Sequence, residues 1–260
     1  MALTPNQSAV ARAEGLGAAV ATTFSPAPNR VAVDRPLVYL ADVIRVFRSG
    51  TVETIALRGV DLEVREGEFV ALMGRSGSGK STLLNLIAGG DRPTAGRVIV
   101  DGVDLARADE HQRAAMRGRR VGIVYQSSNL VPFLTLRENV ELAANLAGQV
   151  LPQEAVAELL GQFGLSGRAE HRPGRLSGGE QQRAGLAVVL AAGPALLLGD
   201  EITGELDHAN SAHLLDVLAA ARRTASLTVV LATHDVDVAA RADRVVRLRD
   251  GRVDDSRVAA

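Results

Sequence analysis

One segment constrains the fold more than any other: a glycine-rich loop between a strand pattern and a helix pattern. The loop, called here the phosphate loop, runs Gly74-Arg75-Ser76-Gly77-Ser78-Gly79-Lys80-Ser81. An apolar run at 68–73 precedes it, and a run with helical spacing at 81–88 follows it before Gly89-Gly90. In that order, loop N–H groups and the helix N-terminus can hold a triphosphate. Lysine then reaches the β and γ oxygens, and the serine hydroxyl binds Mg²⁺.

A second motif places two carboxylates after a buried strand. Residues 195–199 are four apolar residues and a glycine, and Asp200 and Glu201 follow them. A buried parallel strand delivers such side chains at its carboxyl end. We expect Asp200 to hold Mg²⁺, directly or through water, and Glu201 to orient and deprotonate the water that attacks a γ-phosphate. The two motifs together predict an ATPase whose cofactors are ATP and Mg²⁺.

A third motif, called here the signature run, lies between them: Leu176-Ser177-Gly178-Gly179-Glu180-Gln181-Gln182-Arg183. With it, the chain resembles the ATP-binding subunits of ABC transporters over roughly residues 37–253. The resemblance implies that two subunits bind head to tail, so that Ser177, Gly178 and Gly179 of one contact the ATP held by the other. N–H groups of this run, ahead of a helix begun by Glu180, suit an anion. An ordinary serine N-cap also fits Ser177 but leaves both glycines unexplained.

The same resemblance assigns further nucleotide contacts. The expected ligands around the phosphate loop are Gly74, Arg75, Ser76, Gly77, Ser78, Gly79, Lys80, Ser81 and Thr82. Gln126 follows the strand pattern at 121–125 and matches a glutamine that contacts Mg²⁺ and the attacking water. His234 follows the buried-strand pattern at 228–233 and matches a histidine that touches the γ-phosphate. Asp207 matches an aspartate that crosses the dimer interface.

Phe47 falls where the family stacks an aromatic ring on adenine. Aromatic residues are scarce, with five phenylalanines, two tyrosines and no tryptophan. A stacking role and a core position both suit this ring, and the sequence leaves both open.

Two positions depart from the family pattern. Ile202 occupies the place that proline usually holds after the catalytic glutamate. The segment 185–190 replaces a helix that normally carries an arginine. Both departures bear on turnover and on dimer contacts.

Composition and patterning favour a peripheral partner of a membrane protein. The formal net charge is −1, so no overall field draws the chain to nucleic acid or anionic lipid, and no nucleic-acid partner is expected. The absence of cysteine is compatible with any compartment. The longest uncharged apolar stretch, 184–199, has 16 residues and contains Pro194. It is shorter than the roughly 20 residues of a membrane span. We expect a peripheral subunit on the cytoplasmic face of the cell membrane.

The pattern along the chain indicates one folded domain after an extension. Residues 1–36 are rich in alanine and proline without periodicity, so we expect a flexible N-terminal extension there, and Arg12 and Glu14 disfavour a secretory signal. From 37 to 260, alternating strand and helix patterns predict an α/β fold: a P-loop NTPase (RecA-like) core with a mainly parallel sheet. From about 127 to 183 the sequence instead carries helical patterns, at 136–146 and 153–163, without a convincing strand pattern. The resemblance adds an antiparallel β subdomain and places a helical lobe at about 127–185.

Four functions compete for this sequence. The leading one is an ATPase subunit that dimerises around two ATP molecules, with a copy or a relative, and drives a separate membrane permease. Residues 86–96 together with the signature run resemble the lipoprotein-release and macrolide-export branch, which favours export or mechanical work. A chromosome or repair ATPase would insert long coiled coils, whereas only 96 residues separate Lys80 from Ser177. A ribosome-acting relative would carry two nucleotide domains. A regulatory or structural ATPase of the division-associated type stays open because of Ile202, although Glu201 and His234 are intact.

The run Leu130-Val131-Pro132-Phe133-Leu134 is apolar and lies close to Gln126. In the family, a groove beside this glutamine receives a short helix of the permease, so we expect part of the run to be exposed. The alternative is that Phe133 and Leu134 attach the helical lobe to the core. The transported substrate and the direction of transport are not encoded here, because substrate contacts belong to the permease.

Overall fold

The computed structural model describes residues 35–125, 129–204 and 206–254, which divide into two compact units. The sheet unit comprises 35–123, Leu196–Glu201 and 228–254. The helical unit comprises the described parts of Val124–Ala195 and Ile202–Leu227. Of the predicted N-terminal extension, residues 1–34 lie outside the described residues.

A six-stranded sheet carries the order β10-β9-β3-β8-β7-β6. Its strands are β3 (Phe69–Met73), β6 (Val121–Val124), β7 (Leu196–Asp200), β8 (Thr228–Thr233), β9 (Arg244–Arg249) and β10 (Arg252–Val253). β3 pairs in parallel with both β8 and β9, and β7 pairs in parallel with β8. Every residue of β8 is buried, as expected of a central parallel strand covered on both faces. The predicted mainly parallel core is confirmed.

A second, four-stranded sheet is antiparallel and has the order β2-β1-β4-β5. Its strands are β1 (Val38–Ser49), β2 (Val52–Val64), β4 (Ala95–Val100) and β5 (Val103–Asp104). Gly50, with φ of 60°, and Thr51 form the tight connection between β1 and β2. This sheet is the antiparallel subdomain that the resemblance implied.

The helices fall in both units. The sheet unit contains α1 (Lys80–Ile87), α2 (Glu110–Arg119) and α7 (Val236–Ala240). The helical unit contains α3 (Leu136–Leu146), α4 (Gln153–Gln162), α5 (Gly178–Ala191), α6 (His208–Ala225) and a 3-10 turn at Pro173–Arg175. Between 129 and 183, the described residues form helices and loops without a strand, as the helical patterns predicted. Within the described ranges, no helix has the length and apolar character needed to cross a bilayer.

The core of the sheet unit holds the phosphate-loop helix in place. Helix α1 packs against β2, β4, β7 and β8. Its Leu83, Leu86 and Ile87 are fully buried in a cluster with Leu198 and Val230. Burial of each such side chain contributes about 2 kcal/mol to the stability of the fold. This packing fixes the position of α1 and of the loop that precedes it.

Among the described residues, three helices begin with a capping box, in which the N-cap side chain and the third helical residue exchange hydrogen bonds. On α5, the N–H of Ser177 donates to Glu180 Oε2 at 2.9 Å. The Nε of Arg168 donates to the other oxygen, Oε1, also at 2.9 Å. The Ser177 N–H, followed by the Arg168 hydrogen bond, lowers the pKa of Glu180 to about 2.

This cap should make stability depend on pH. The pKa of Glu180 is about 2 in the folded chain against an ordinary value of 4.5, so its ionised form stabilises the fold fully above about pH 4.5. That contribution is lost as the pH falls through the folded value. We therefore expect the difference in free energy of unfolding between the parent and Glu180→Gln to be largest near neutral pH and to shrink in acid. Urea unfolding followed by circular dichroism measures it.

Glu158→Gln on α4 is the matched control, because Glu158 is exposed and makes no hydrogen bond or ion pair within the described part of the chain. Its effect should be small at every pH. A Glu180→Gln effect that stays constant across the acid range would contradict the assignment of the cap to the ionised carboxylate.

Candidate functional site

Three segments remote in sequence meet at one edge of the six-stranded sheet. β8 lies between β3 and β7, and the three strands are parallel, so their carboxyl ends coincide. Met73 pairs with Thr233, and Asp200 pairs with Ala232. The residues that follow these strands are the phosphate loop, Glu201 and His234. The strand register therefore assembles the two predicted acids, the histidine and the loop.

The backbone of the phosphate loop requires glycine where it turns into the helix. Gly79 is the N-cap of α1 and has φ of 106°, a conformation that L side chains rarely adopt. A Cβ there would lie 2.7 Å from the carbonyl oxygen of Ala56. Within the described chain, no side chain caps α1. Its first N–H groups, together with the helix dipole, thus suit an anion.

Lys80 folds back over the loop. Its side chain is nearly buried, and Nζ donates to the carbonyl oxygens of Gly74 at 2.8 Å and Arg75 at 3.2 Å. Both acceptors are neutral, and no carboxylate pairs with Lys80 among the described residues. Nearby, the hydroxyl Oγ of Ser78 is buried and lacks a hydrogen-bond partner within the described ranges. A cation without a counter-charge and an unsatisfied hydroxyl both fit a phosphate ligand.

Ser81 and Asp200 form a candidate Mg²⁺ site. The Ser81 hydroxyl donates to Asp200 Oδ2 at 2.5 Å, which joins the first turn of α1 to the end of β7. Hydroxyl and carboxylate oxygens are the hard ligands that Mg²⁺ prefers, usually with phosphate oxygens completing the shell. In the described ranges, no group of three or more His, Cys, Asp or Glu residues could hold a metal by itself. The residues present fit an ion shared with a nucleotide. Gln126, the third predicted contact, lies outside the described residues.

Glu201 and His234 contact each other beside this pair. The Nδ1 atom of His234 lies 3.1 Å from Glu201 Oε1. The backbone N–H of Glu201 donates to the carbonyl of Ala232 at 2.9 Å, which ties the residue to the end of β8. The Glu201 side chain is 32% exposed and that of His234 is 72% exposed. A carboxylate oriented by an imidazole and reachable by water is suited to general-base chemistry.

A cavity of about 670 Å³ adjoins the phosphate loop. Besides loop residues 74–78 and His234, Arg247 and Arg249 of β9 line it. Sequence reasoning missed both arginines, because no motif marks them. The alternating pattern of β9 predicts that both arginines lie on its exposed face, opposite Val246. It does not predict that the phosphate loop lies next to that face.

The structure places the signature run at the start of α5 in the helical unit. Ser177 is the N-cap, and the helix begins at Gly178, so the prediction that Glu180 begins it was wrong by two residues. The physical reason is the capping box, which draws both glycines into the first turn. Ser177 and Gly178 are exposed, and the first N–H groups of a helix have no intrahelical acceptor.

Asp207 is the N-cap of α6 and accepts a hydrogen bond from the N–H of Asn210 at 2.8 Å. That N–H lowers the pKa of Asp207. The Oδ1 atom of Asn210 accepts from Arg183 at 3.0 Å, and Arg183 also donates to the carbonyl of Phe163 at 2.9 Å. The hydrogen bonds of Asn210 were not predicted from the sequence, although an asparagine three residues after an N-cap aspartate is a detectable signal for such a contact.

Two remaining predicted contacts lie in the sheet unit. Phe47, on β1, is 42% exposed, so the alternative of a core phenylalanine was wrong. Thr82 lies half-buried in the first turn of α1, directly after Ser81. Exposure leaves the Phe47 ring available for stacking, which stays a prediction.

Comparison with known proteins agrees with this geometry. The family model described as ABC transporter matches residues 57–204. The lipoprotein-releasing system ATP-binding protein LolD of Ruegeria pomeroyi is 46% identical over 224 residues, which cover 85% of this chain and 98% of that protein. The macrolide export ATP-binding/permease protein MacB of Hyphomonas neptunium is 44% identical over 220 residues, 84% of this chain and 34% of that protein. The chain thus spans about a third of the length of the macrolide-export relative.

Solved structures give the same result. The ATP-binding cassette MJ0796, determined as a dimer in a post-hydrolysis state bound to ADP and Pi, superimposes with a TM-score of 0.79 at 38% identity. The match covers 84% of this chain and 96% of that one. The predicted fold class, the predicted ATPase activity and nucleotide binding are confirmed. The chain belongs to the ABC transporter family of ATP-binding proteins, in the branch of the lipoprotein-release and macrolide-export ATPases.

Proposed function

We propose that the chain binds ATP with Mg²⁺ at the carboxyl ends of β3, β7 and β8, pairs with a second ATP-binding subunit around two ATP molecules, and drives a separate membrane permease of the export or mechanical type. One observation carries this proposal: Lys80, the Ser81–Asp200 pair and the Glu201–His234 pair lie at one edge of one sheet. A cation, an oxygen pair for Mg²⁺ and an oriented base are the groups that phosphoryl transfer to water requires.

Each residue has a separate role in the proposed reaction. Lys80 exchanges its two carbonyl acceptors for the β and γ oxygens, while the loop N–H groups and α1 hold the remaining charge. Ser81 and Asp200 are ligands for Mg²⁺, and Gln126 is proposed as a further contact. When bound, Mg²⁺ would neutralise charge on the phosphates. Glu201 takes the proton of the attacking water, and His234 orients that carboxylate and contacts the γ-phosphate.

The proposed dimer uses the second subunit to cover each nucleotide. Ser177, Gly178 and Gly179 of the partner would bind the ATP held by the phosphate loop, and Asp207 would cross the interface. The exposure of Ser177 and Gly178 at the start of α5 supports this role. The dimeric MJ0796 cassette supports the arrangement by analogy. The second subunit is a copy of this chain or a related ATP-binding subunit.

We further propose residues 37–260 as one nucleotide-binding domain with a helical lobe at about 127–185, and 1–36 as a flexible extension. The subunit would lie peripherally on the cytoplasmic face of the cell membrane, held there by its permease. The relative named as the ATP-binding protein of a lipoprotein-releasing system, 98% of which is matched, supports a separate permease.

A regulatory or structural ATPase of the division-associated type is the second candidate function. Ile202 favours it, because this residue stands where the family pattern has proline next to the base. The contact between His234 and Glu201 favours the transport ATPase, since it keeps the base oriented for turnover.

Lys80→Ala should abolish tight ATP binding. Lys80 is the only lysine in the sequence, and a charged contact of this kind is worth about 2 to 5 kcal/mol. Isothermal titration with ATP and Mg²⁺ measures the loss. Arg223→Ala is the control, because it removes an exposed cation from α6 in the helical unit. Equal ATP affinity in the parent and Lys80→Ala would refute the assignment of the phosphate loop.

Glu201→Gln should keep ATP binding and stop turnover, because an amide can hydrogen-bond water but cannot take its proton. Light scattering should then detect a dimer trapped by ATP with Mg²⁺, and a phosphate-release assay should detect no hydrolysis. Glu66→Gln, an exposed turn residue of the sheet unit, is the control. Hydrolysis by Glu201→Gln at the parent rate would exclude Glu201 as the base.

The apolar run at 130–134 is a candidate for the permease contact, because hydrogen bonds hold it and Pro132 and Phe133 within it are exposed. The Oδ1 atom of buried Asn139 accepts from the N–H of Val131 at 2.7 Å. Its Nδ2 donates to the carbonyls of Val131 at 3.2 Å and Thr135 at 2.8 Å. Phe133, on the loop so fixed, is 69% exposed. An exposed aromatic on a fixed loop can act as an interface anchor with little entropy cost, and this exposure argues against a core role.

Phe133→Ala should preserve the ATPase activity of the free subunit and weaken co-purification with the permease. Loss of a large aromatic anchor costs about 2 kcal/mol or more of binding free energy. Leu146→Ala is the matched control, because Leu146 is 72% exposed at the end of α3 in the same unit. A lower melting temperature and lost activity in isolated Phe133→Ala would place this residue in the core instead.

A further inference from the structure

The exposed ring of Phe47 is one half of a two-residue arrangement on β1. Arg45 and Phe47 are two positions apart, and their side chains contact each other although the pairing of β1 with β2 shifts register between Arg45 and Val46. The guanidinium carbon of Arg45 lies 4.4 Å from the centroid of the Phe47 ring. The cation therefore lies over one face of the ring, while Phe47 as a whole is 42% exposed.

Asp91 holds the cation in place. Arg45 Nε donates to Asp91 Oδ2 at 2.8 Å, and the two side chains are 22% and 27% exposed. Close to this ion pair, Thr94 forms hydrogen bonds with the β1 residues on both sides of Arg45. The N–H of Val46 donates to Thr94 Oγ1 at 3.0 Å, and the N–H of Thr94 donates to the carbonyl of Ile44 at 2.8 Å. Asp91 shortly follows α1, so the ring is linked through Arg45 to the helix that begins at Lys80.

The ring also lies within reach of a nucleotide on the phosphate loop. Phe47 pairs with Thr54 of β2. Two residues further along β2, the carbonyl oxygen of Ala56 approaches Gly79 so closely that a Cβ there would lie 2.7 Å from it. A strand advances about 3.3 Å per residue and its neighbour lies about 4.8 Å away, so Phe47 lies roughly 10 Å from the loop. That separation is comparable with the distance from the base to the β-phosphate of a nucleoside triphosphate.

We propose that Arg45, held by Asp91, is a positioning residue for the base of the bound nucleotide: it backs the Phe47 ring and presents the opposite ring face to adenine. This inference rests on the proposed function, in which Phe47 stacks on the base. The contact limits the rotamers of the ring before binding, so less entropy is lost when the base arrives. The cation also draws the π electrons of the ring toward itself, which makes the opposite face less negative for an electron-rich purine.

A purely structural role for Arg45 predicts a different result. If the ion pair with Asp91 only stabilised the antiparallel sheet, its loss would affect every ligand of the phosphate loop alike. A positioning role concerns the base alone. The ratio of ATP affinity to tripolyphosphate affinity, both measured with Mg²⁺, separates the two roles, because tripolyphosphate keeps the phosphate contacts and has no base.

The experiment measures this ratio by isothermal titration on the full chain. Arg45→Ala should lower ATP affinity about two- to five-fold, because a ring without the cation must be ordered when the base binds, and leave tripolyphosphate affinity unchanged. Phe47→Ala should lower ATP affinity about ten-fold, as expected for a lost stacking platform. The double variant should bind ATP as Phe47→Ala does. Arg48→Ala is the matched control, since Arg48 lies on the same strand, is 77% exposed and pairs with Glu53 instead.

The outcomes separate the inference from the function on which it rests. An equal loss for both ligands in Arg45→Ala, or no loss for either, overturns the positioning role. If Phe47→Ala lowers the ratio and Arg45→Ala does not, only the inference about Arg45 fails. If Phe47→Ala itself leaves the ratio unchanged, base stacking in the proposed function fails, and the role of Arg45 fails with it.

Discussion

The candidate site depends first on the position of β8 between β3 and β7. Parallel pairing on both sides of this strand fixes the register of Met73 against Thr233 and of Asp200 against Ala232. A slip of one residue would turn the side chains of a strand to the other face of the sheet. The contacts from Ser81 to Asp200 and from Glu201 to His234 would then be lost together. Because every residue of β8 is buried, apolar packing maintains the register that the polar contacts require.

Among the described residues, the anion-binding groups of the site have only neutral hydrogen-bond partners or none. Lys80 donates only to neutral carbonyls, Ser78 Oγ lacks a described partner, and α1 has no side-chain cap. Elsewhere the chain satisfies such groups with charge, as the carboxylate of Glu180 does at the start of α5. A buried polar group without a partner costs about 1 to 3 kcal/mol. This cost is recovered when phosphate oxygens arrive. The only lysine of the sequence lies here, so the loop presents a compact amine to a phosphate, whereas the other permanently charged basic side chains are arginines.

The features predicted most accurately from the sequence are those contained in one continuous segment. The phosphate loop, the strand at 228–233 and the helix at 136–146 each combine an apolar period with end signals in one continuous segment, and all three are present. Contacts between remote segments that carry no motif could not be predicted, because packing alone brings them together. Arg45 and Asp91 lie 46 positions apart, and no local pattern joins them. The exposure of Phe47 was undecidable for the same reason, since a ring on a strand suits the core and the surface equally. The start of α5 was predicted two residues late because glycine has a low helix propensity, so Gly178 and Gly179 were not assigned to the first turn after Ser177.

Glu201 shows how the departure at Ile202 is accommodated. Glu201 has φ of 51°, in the left-handed region, which costs a residue with a side chain about 1 to 2 kcal/mol. A following proline would drive this residue toward extended backbone, whereas isoleucine imposes no such restriction. Ile202 is itself buried, at 3% exposure, so its side chain contributes packing free energy of about 2 kcal/mol. Hydrogen bonds then hold the conformation: the Glu201 amide donates to Ala232 at the end of β8, and the carboxylate contacts His234. The orientation of the proposed base thus comes from the sheet and the histidine, and the isoleucine leaves both contacts intact.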